Sequence, residues 1–197
     1  MTNVAILISG GGSNMVSLLR DMNGQHPANP VIVLSNVPNA GGIDLARELG
    51  VHTAIVDHRK YGNDRTEFEA DIMRELKAVN VDLVCLAGFM RILTSNFVQA
   101  WQKRMLNIHP SLLPKYPALH THDRALEAGD QRAGCTVHLV TPELDAGPIL
   151  GQAEVAITEG ETPESLAAKV LKQEHKLYPQ VLRKYVSGDE TPVFLPI

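Results

Sequence analysis

Five consecutive apolar residues, Val4-Ala5-Ile6-Leu7-Ile8, open the chain after only three others. A strand that is apolar at every position must be covered on both faces, the condition of strands inside a parallel sheet. Mainly apolar runs return at 31–36, 53–56, 83–87 and 105–109. Helical periods lie between these runs. One carries Met15, Leu18 and Leu19. A second covers 43–49 and stops at Gly50, a good residue just past a helix end. A third begins at the Asp64-x-x-Glu67 cap, with Phe68, Ile72 and Leu76 as its stripe and Met73 and Val79 beside them. Strands alternating with helices predict an α/β fold: βαβ units with right-handed crossovers, forming a doubly wound, mainly parallel sheet of the Rossmann-like kind.

The last third changes character. The runs at 134–141 and 149–157 are neighbouring strands joined by a loop, which predicts a mixed or antiparallel edge. Thr162-Pro163 supplies a cap and a first-turn proline for a long final helix. Leu166, Val170, Leu177 and Val181 fall on one face of it, and Pro179 should kink it near its end. The tail after Ser187 reads as irregular. The chain of 197 residues, 44% hydrophobic and 20% charged, can bury a core without a metal or disulfide staple. It is expected to form a single domain over 1–197.

With 18 basic and 22 acidic residues the net charge is −4, which disfavours a nucleic-acid binder. Cys85 and Cys135 sit inside apolar runs and read as buried, reduced thiols. No basic segment precedes the first apolar run, and no run approaches the ~20 residues of a membrane span. A soluble, cytoplasmic protein is expected.

Gly10-Gly11-Gly12 lies between the first strand and the first helix. Such loops bring phosphate to backbone N–H groups at a helix N-terminus. The dinucleotide fingerprint fits poorly: Met15 stands where the third glycine belongs, and the second strand ends in Asn36 instead of an acid. No Gly-Lys-Ser/Thr follows, so a P-loop is excluded. Two readings remain open: a monophosphate site made by Gly12-Ser13-Asn14, or a tight turn in which Ser13 or Asn14 caps the helix.

Asn107 and His109 alternate onto one face at the C-terminal end of a predicted central strand, the edge where α/β sheets bind ligands. Pro110 keeps His109 extended. An amide donor beside an imidazole suits acyl transfer: the amide meets a developing oxyanion and the imidazole moves a proton. Asp145, in a Gly-Pro loop, is placed to fold back and orient the ring. The alternative is a packed loop histidine and a turn-forming aspartate. His120-x-His122 lacks a zinc pattern and reads as a cap for a helix beginning near Asp123. Ser111 lacks a nucleophile elbow. His138 reads as a core or wall residue, and Glu174-His175 as part of a solvated helix face.

Taken in order, Ser9-Gly10-Gly11-Gly12-Ser13-Asn14, Leu86-Ala87-Gly88-Phe89-Met90-Arg91-Ile92-Leu93, Asn107-Ile108-His109-Pro110-Ser111-Leu112-Leu113-Pro114, Leu119-His120-Thr121-His122, Gly134-Cys135-Thr136-Val137-His138 and Asp145-x-Gly147-Pro148-Ile149 closely resemble the phosphoribosylglycinamide formyltransferases, a folate-dependent family. The resemblance runs from Val4 to about Tyr185. It implies a phosphate-binding part at about 1–100 and a catalytic, folate-binding part at about 101–187. It assigns Gly12, Ser13 and Asn14 to the phosphate of glycinamide ribonucleotide, and Glu174 to its ribose. Arg65, Met90, Arg91, Ile92, Leu93 and Asn107 would contact 10-formyltetrahydrofolate, the flat pterin lying on the apolar run at 86–93. His109 would be the catalytic acid, with Asp145 raising its pKa. No metal is implied. The partners implied are the two small molecules, with no nucleic acid or membrane, for a monomer or homodimer. At Ala118 the family usually has glycine, so loop geometry there is a point of difference. Three rivals are weaker. A methionyl-tRNA formyltransferase would need a further C-terminal domain and a basic surface. A formyltetrahydrofolate deformylase would carry an N-terminal regulatory domain. A non-catalytic nucleotide-binding module has no use for Asn107, His109 and Asp145 together.

Overall fold

A computed structural model describes residues 1–197. Eight strands form a sheet in the order β3-β2-β1-β4-β5-β6-β7-β8, and six α-helices and one 3₁₀ turn accompany it. The chain divides into two compact units, Met1–Leu106 and Asn107–Ile197.

The first unit is the predicted parallel α/β arrangement. β1 (Thr2–Ile8) pairs in parallel with β2 (Ala28–Ser35) on one side and β4 (Leu83–Leu86) on the other. Val4 to Ile8 are wholly buried, as the unbroken apolar run requires. β3 (Thr53–Ile55) extends the sheet beyond β2. α1 (Ser13–Asp21), α2 (Gly41–Glu48) and α3 (Arg65–Ala78) connect these strands. The Asp64 carboxylate caps α3 by accepting from the Thr66 and Glu67 N–H groups, and Phe68, Ile72 and Leu76 are its buried stripe. The periodicity missed two short pieces, the 3₁₀ turn His58–Tyr61 and α4 (Ser95–Ala100), whose start Thr94 caps. β5 (Met105–His109) begins in this unit and ends in the next.

In the second unit α5 (Thr121–Glu127) starts two residues before Asp123. His120 is its cap position in a left-handed conformation, without a side-chain capping bond, so the expected histidine cap is not made. β6 (Arg132–Leu139) and β7 (Ile149–Ala156) are antiparallel, as expected. The Thr162 side chain and Ser165 form a reciprocal capping box at the start of α6 (Pro163–Val186). Leu166, Val170, Leu177 and Val181 are all buried. α6 continues through Pro179 for seven further residues. The tail is not wholly irregular: β8 (Val193–Leu195) pairs in parallel with β7. Three residues after a proline carry too little pattern to announce an edge strand. No helix is long and apolar enough to cross a membrane.

Candidate active site

The glycine loop belongs to the first unit. Gly12, not Ser13 or Asn14, is the cap position of α1, and its φ of 72° is left-handed. A Cβ there would lie 2.9 Å from the Gly42 Cα and 2.8 Å from the Met15 side chain, so only glycine fits. Ser13 and Asn14 are the first helical residues, where backbone N–H groups point out of the helix end. Gly10 and Gly11 instead face open space. The Gly10 carbonyl accepts from the Gly42 N–H at 3.0 Å, which anchors the loop. Gly11→Val therefore tests the phosphate reading without disturbing packing. Its melting temperature should match the wild type while KM for a phosphorylated acceptor rises by about tenfold or more, the cost of losing one charge-assisted contact. An unchanged KM would return this loop to a plain turn.

Also in the first unit, Arg65 opens α3 and its Nη1 reaches the Ile92 carbonyl at 3.5 Å. Met90 and Ile92 are exposed large apolar side chains, 67% and 64%. Arg91 has a buried Nε donor with no protein partner. Such a segment presents apolar surface and an unsatisfied cationic donor to whatever covers it.

The second unit gathers the other predicted residues. β5 places Asn107 and His109 two residues apart, on one face. His109 is 6% exposed. Its Nε2 lies 2.9 Å from the Tyr116 carbonyl. A carbonyl only accepts, so Nε2 carries the hydrogen and Nδ1 is the atom left for proton transfer. Nδ1 faces Asp145 Oδ2 at 3.6 Å, with both side chains less than a tenth exposed. That is an electrostatic pairing, longer than a direct hydrogen bond. The turn at 111–118 is held from several sides. The Ser111 hydroxyl donates to the Lys115 carbonyl, so Ser111 is a loop support. Thr136 Oγ1 accepts from the Leu113 N–H and donates to the Ser111 carbonyl. The Ala118 N–H donates to Asp145 Oδ2 at 2.8 Å. Ala118 has a φ of 65°. The loop thus keeps a conformation suited to glycine, and the methyl costs about 1–2 kcal/mol without displacing the bond to Asp145.

His138, read from the sequence as a core or wall residue, is buried as expected and also touches Asn107. A register shift falls between Val137 and His138 in the β6–β7 ladder, and such irregularities re-aim side chains next to sites. The His138 ring is 2% exposed. Its Nδ1 faces the Leu139 carbonyl at 2.9 Å and must donate. Nε2 is therefore bare and accepts from Asn107 Nδ2 at 3.2 Å. This fixes which way the Asn107 amide points. Asp145 Oδ1 lies 3.7 Å from the same Nε2. Burial pushes the His138 pKa down, against the pull of Asp145. The unfolded chain takes up this proton near the ordinary value of 6.5 and the folded chain resists it. The associated stability is therefore whole at neutral pH and is lost as pH falls below 6.5. Between about pH 7.5 and 5.5, a span that crosses histidine titration, His138→Gln should lose less melting temperature than the wild type. Equal losses would show that His138 does not stay neutral in the folded protein.

Gly147 closes the cluster. A Cβ on it would sit 1.7 Å from the Leu139 carbonyl oxygen, so the Asp145 loop can lie against the end of β6 only with glycine there. Glu174 on α6 is 7% exposed, not part of a solvated face. Burial, and after it the Glu174 charge, raises the pKa of the neighbouring Cys135 thiol. Both cysteines are free and buried.

The sequence model of the formyl transferase family matches residues 2–182. The phosphoribosylglycinamide formyltransferase of Escherichia coli (strain K12) is 41% identical over 187 residues, spanning 94% of this chain and 88% of that protein. The trifunctional purine biosynthetic protein adenosine-3 of Drosophila melanogaster is 44% identical over 188 residues, but the chain spans only 14% of its length. The crystal structure of phosphoribosylglycinamide formyltransferase from Brucella melitensis superposes with a TM-score of 0.90 at 47% identity, covering 95% of this chain and 96% of that one.

Proposed function

This chain belongs to the formyl transferase family, and from that membership we propose that it transfers the formyl group of 10-formyltetrahydrofolate to the amine of glycinamide ribonucleotide. The products are formylglycinamide ribonucleotide and tetrahydrofolate, a step of purine biosynthesis. The observation that carries the reading is the meeting of Asn107, His109 and Asp145, two of them paired at 3.6 Å, with the Asn107 amide held by His138.

The folate supplies a formyl carbonyl that an amine can attack. The Asn107 amide has one N–H engaged by His138. Its second N–H is free to meet the formyl oxygen as charge develops there. His109 acts through Nδ1, giving or relaying the proton that moves from the attacking nitrogen to the leaving N10. Asp145 favours the positive ring while this happens. Gly12, Ser13 and Asn14 hold the acceptor's phosphate, and Glu174 takes its ribose hydroxyls. Arg65 and the stretch Met90, Arg91, Ile92 and Leu93 take the folate, with Asn107. The exposed Met90 and Ile92 side chains suit a flat ring, and the unpartnered Arg91 donor suits a ligand acceptor. The reading treats 1–197 as one catalytic domain, a monomer or homodimer in the cytoplasm acting on two small molecules.

Purified protein mixed with 10-formyltetrahydrofolate and glycinamide ribonucleotide should release tetrahydrofolate. Release at the same rate without the ribonucleotide would make water the acceptor and overturn the assignment.

A further inference from the structure

One hydroxyl joins three strand ends in the first unit. Ser9 follows β1 directly and precedes the glycine loop. Its Oγ accepts from the Met90 N–H at 2.7 Å and donates to Asn36 Oδ1 at 2.5 Å. Asn36 follows β2 and is 2% exposed, so this acceptor is fixed within the fold. Met90 lies beyond β4, and its own side chain is 67% exposed. Phe89 beside it is buried, so packing holds the segment up to Phe89; the exposed Met90 side chain adds nothing, and its backbone N–H is held by the bond to Ser9. Only a group that donates and accepts at once can bridge Met90 and Asn36, which a hydroxyl does and an apolar side chain cannot.

We infer that Ser9, backed by Asn36, is a positioning residue for the folate: it holds the Met90 turn in the conformation that binds this substrate. The inference rests on the formyl-transfer reading, which gives Met90, Arg91, Ile92 and Leu93 to the folate. It also separates the two substrates. The glycine loop has its own anchor in the bond between the Gly42 N–H and the Gly10 carbonyl. The Ser9 N–H is bonded to the Gly88 carbonyl at 3.1 Å through backbone alone. Removing the hydroxyl leaves both bonds standing. A residue adjacent in sequence to the phosphate loop thus acts on the other ligand.

The test compares Ser9→Ala, Ser9→Thr and Ser9→Val with the wild type. The measurements are the dissociation constant of 10-formyltetrahydrofolate without acceptor, KM for glycinamide ribonucleotide, and melting temperature. Ser9→Ala should weaken folate binding about 3- to 10-fold, the range of one lost neutral hydrogen bond, and change KM for the ribonucleotide by less than about twofold. Ser9→Thr and Ser9→Val have the same shape and differ in the hydroxyl, so threonine should bind the folate more tightly than valine. That pair carries the test if the alanine variant does not fold. Equal folate affinity in threonine and valine, or equal losses for both substrates, would overturn the inference while leaving formyl transfer intact. A wild-type protein that does not bind 10-formyltetrahydrofolate would overturn both.

Discussion

His109→Ala should lower kcat by about 10² to 10⁴, the usual contribution of a positioned proton-transfer group, while KM for either substrate moves far less. The expectation comes from how the ring is held. Nε2 is committed to the Tyr116 carbonyl and Nδ1 faces a nearly buried carboxylate. The ring therefore has one atom available for chemistry and one fixed orientation. On the proposed reading, alanine removes the proton carrier but leaves the Asn107 amide and the residues proposed to bind the substrates in place. Steady-state kinetics on the purified variant decides the matter. Turnover near the wild-type rate would mean that the proton reaches N10 without His109.

Asp145→Asn is the second large effect, and it is the more discriminating. Asparagine has the shape of aspartate and tolerates the same left-handed turn conformation, here a φ of 52°. Its carbonyl oxygen can still accept from the Ala118 N–H, so the loop should survive and the melting temperature should change little. What disappears is a negative charge 3.6 Å from Nδ1 of His109, in a place where both side chains are shielded from water. Coulomb interactions in such surroundings are weakly screened. Activity should fall by about 10² or more, since the acid loses its electrostatic partner. The pH–rate profile, followed from about pH 5 to 9 across the histidine range, should also change shape. Superimposable profiles of equal height would make Asp145 a turn former and nothing else.

Much of the site was legible because short-range patterns encode it. The strand period puts Asn107 and His109 on one face, and Pro110 marks where β5 ends. The all-apolar runs announce the parallel sheet, and Thr162-Pro163 announces α6. What escaped depended on contacts between residues far apart in sequence. His138 sits in a run of buried residues, and nothing local indicates that a register shift turns it toward Asn107. Glu174 reads as solvated because charged residues on helices usually are; its burial comes from the fold around α6. α4 and β8 are too short for periodicity to register. Ser9 was visible only as the first letter of a glycine motif, because its partners lie 27 and 81 residues away. Gly12 was read as part of either a monophosphate site or a tight turn. A Cβ there would also meet the Met15 side chain and the Gly42 backbone, the latter a contact that no local pattern announces.

The bond from the Ala118 amide to Asp145 makes a magnetic-resonance gauge of the carboxylate. An amide proton that donates to a carboxylate oxygen at 2.8 Å shifts its resonance when that oxygen gains or loses charge, or moves. Alanine at 118 also supplies a methyl group on the same residue. One ¹⁵N- and ¹³C-labelled alanine thus carries two reporters, its N–H on the state of Asp145 and its methyl on the pose of the loop. A titration of either substrate could then be followed at the Asp145 carboxylate itself, with no bulky probe attached and no turnover required.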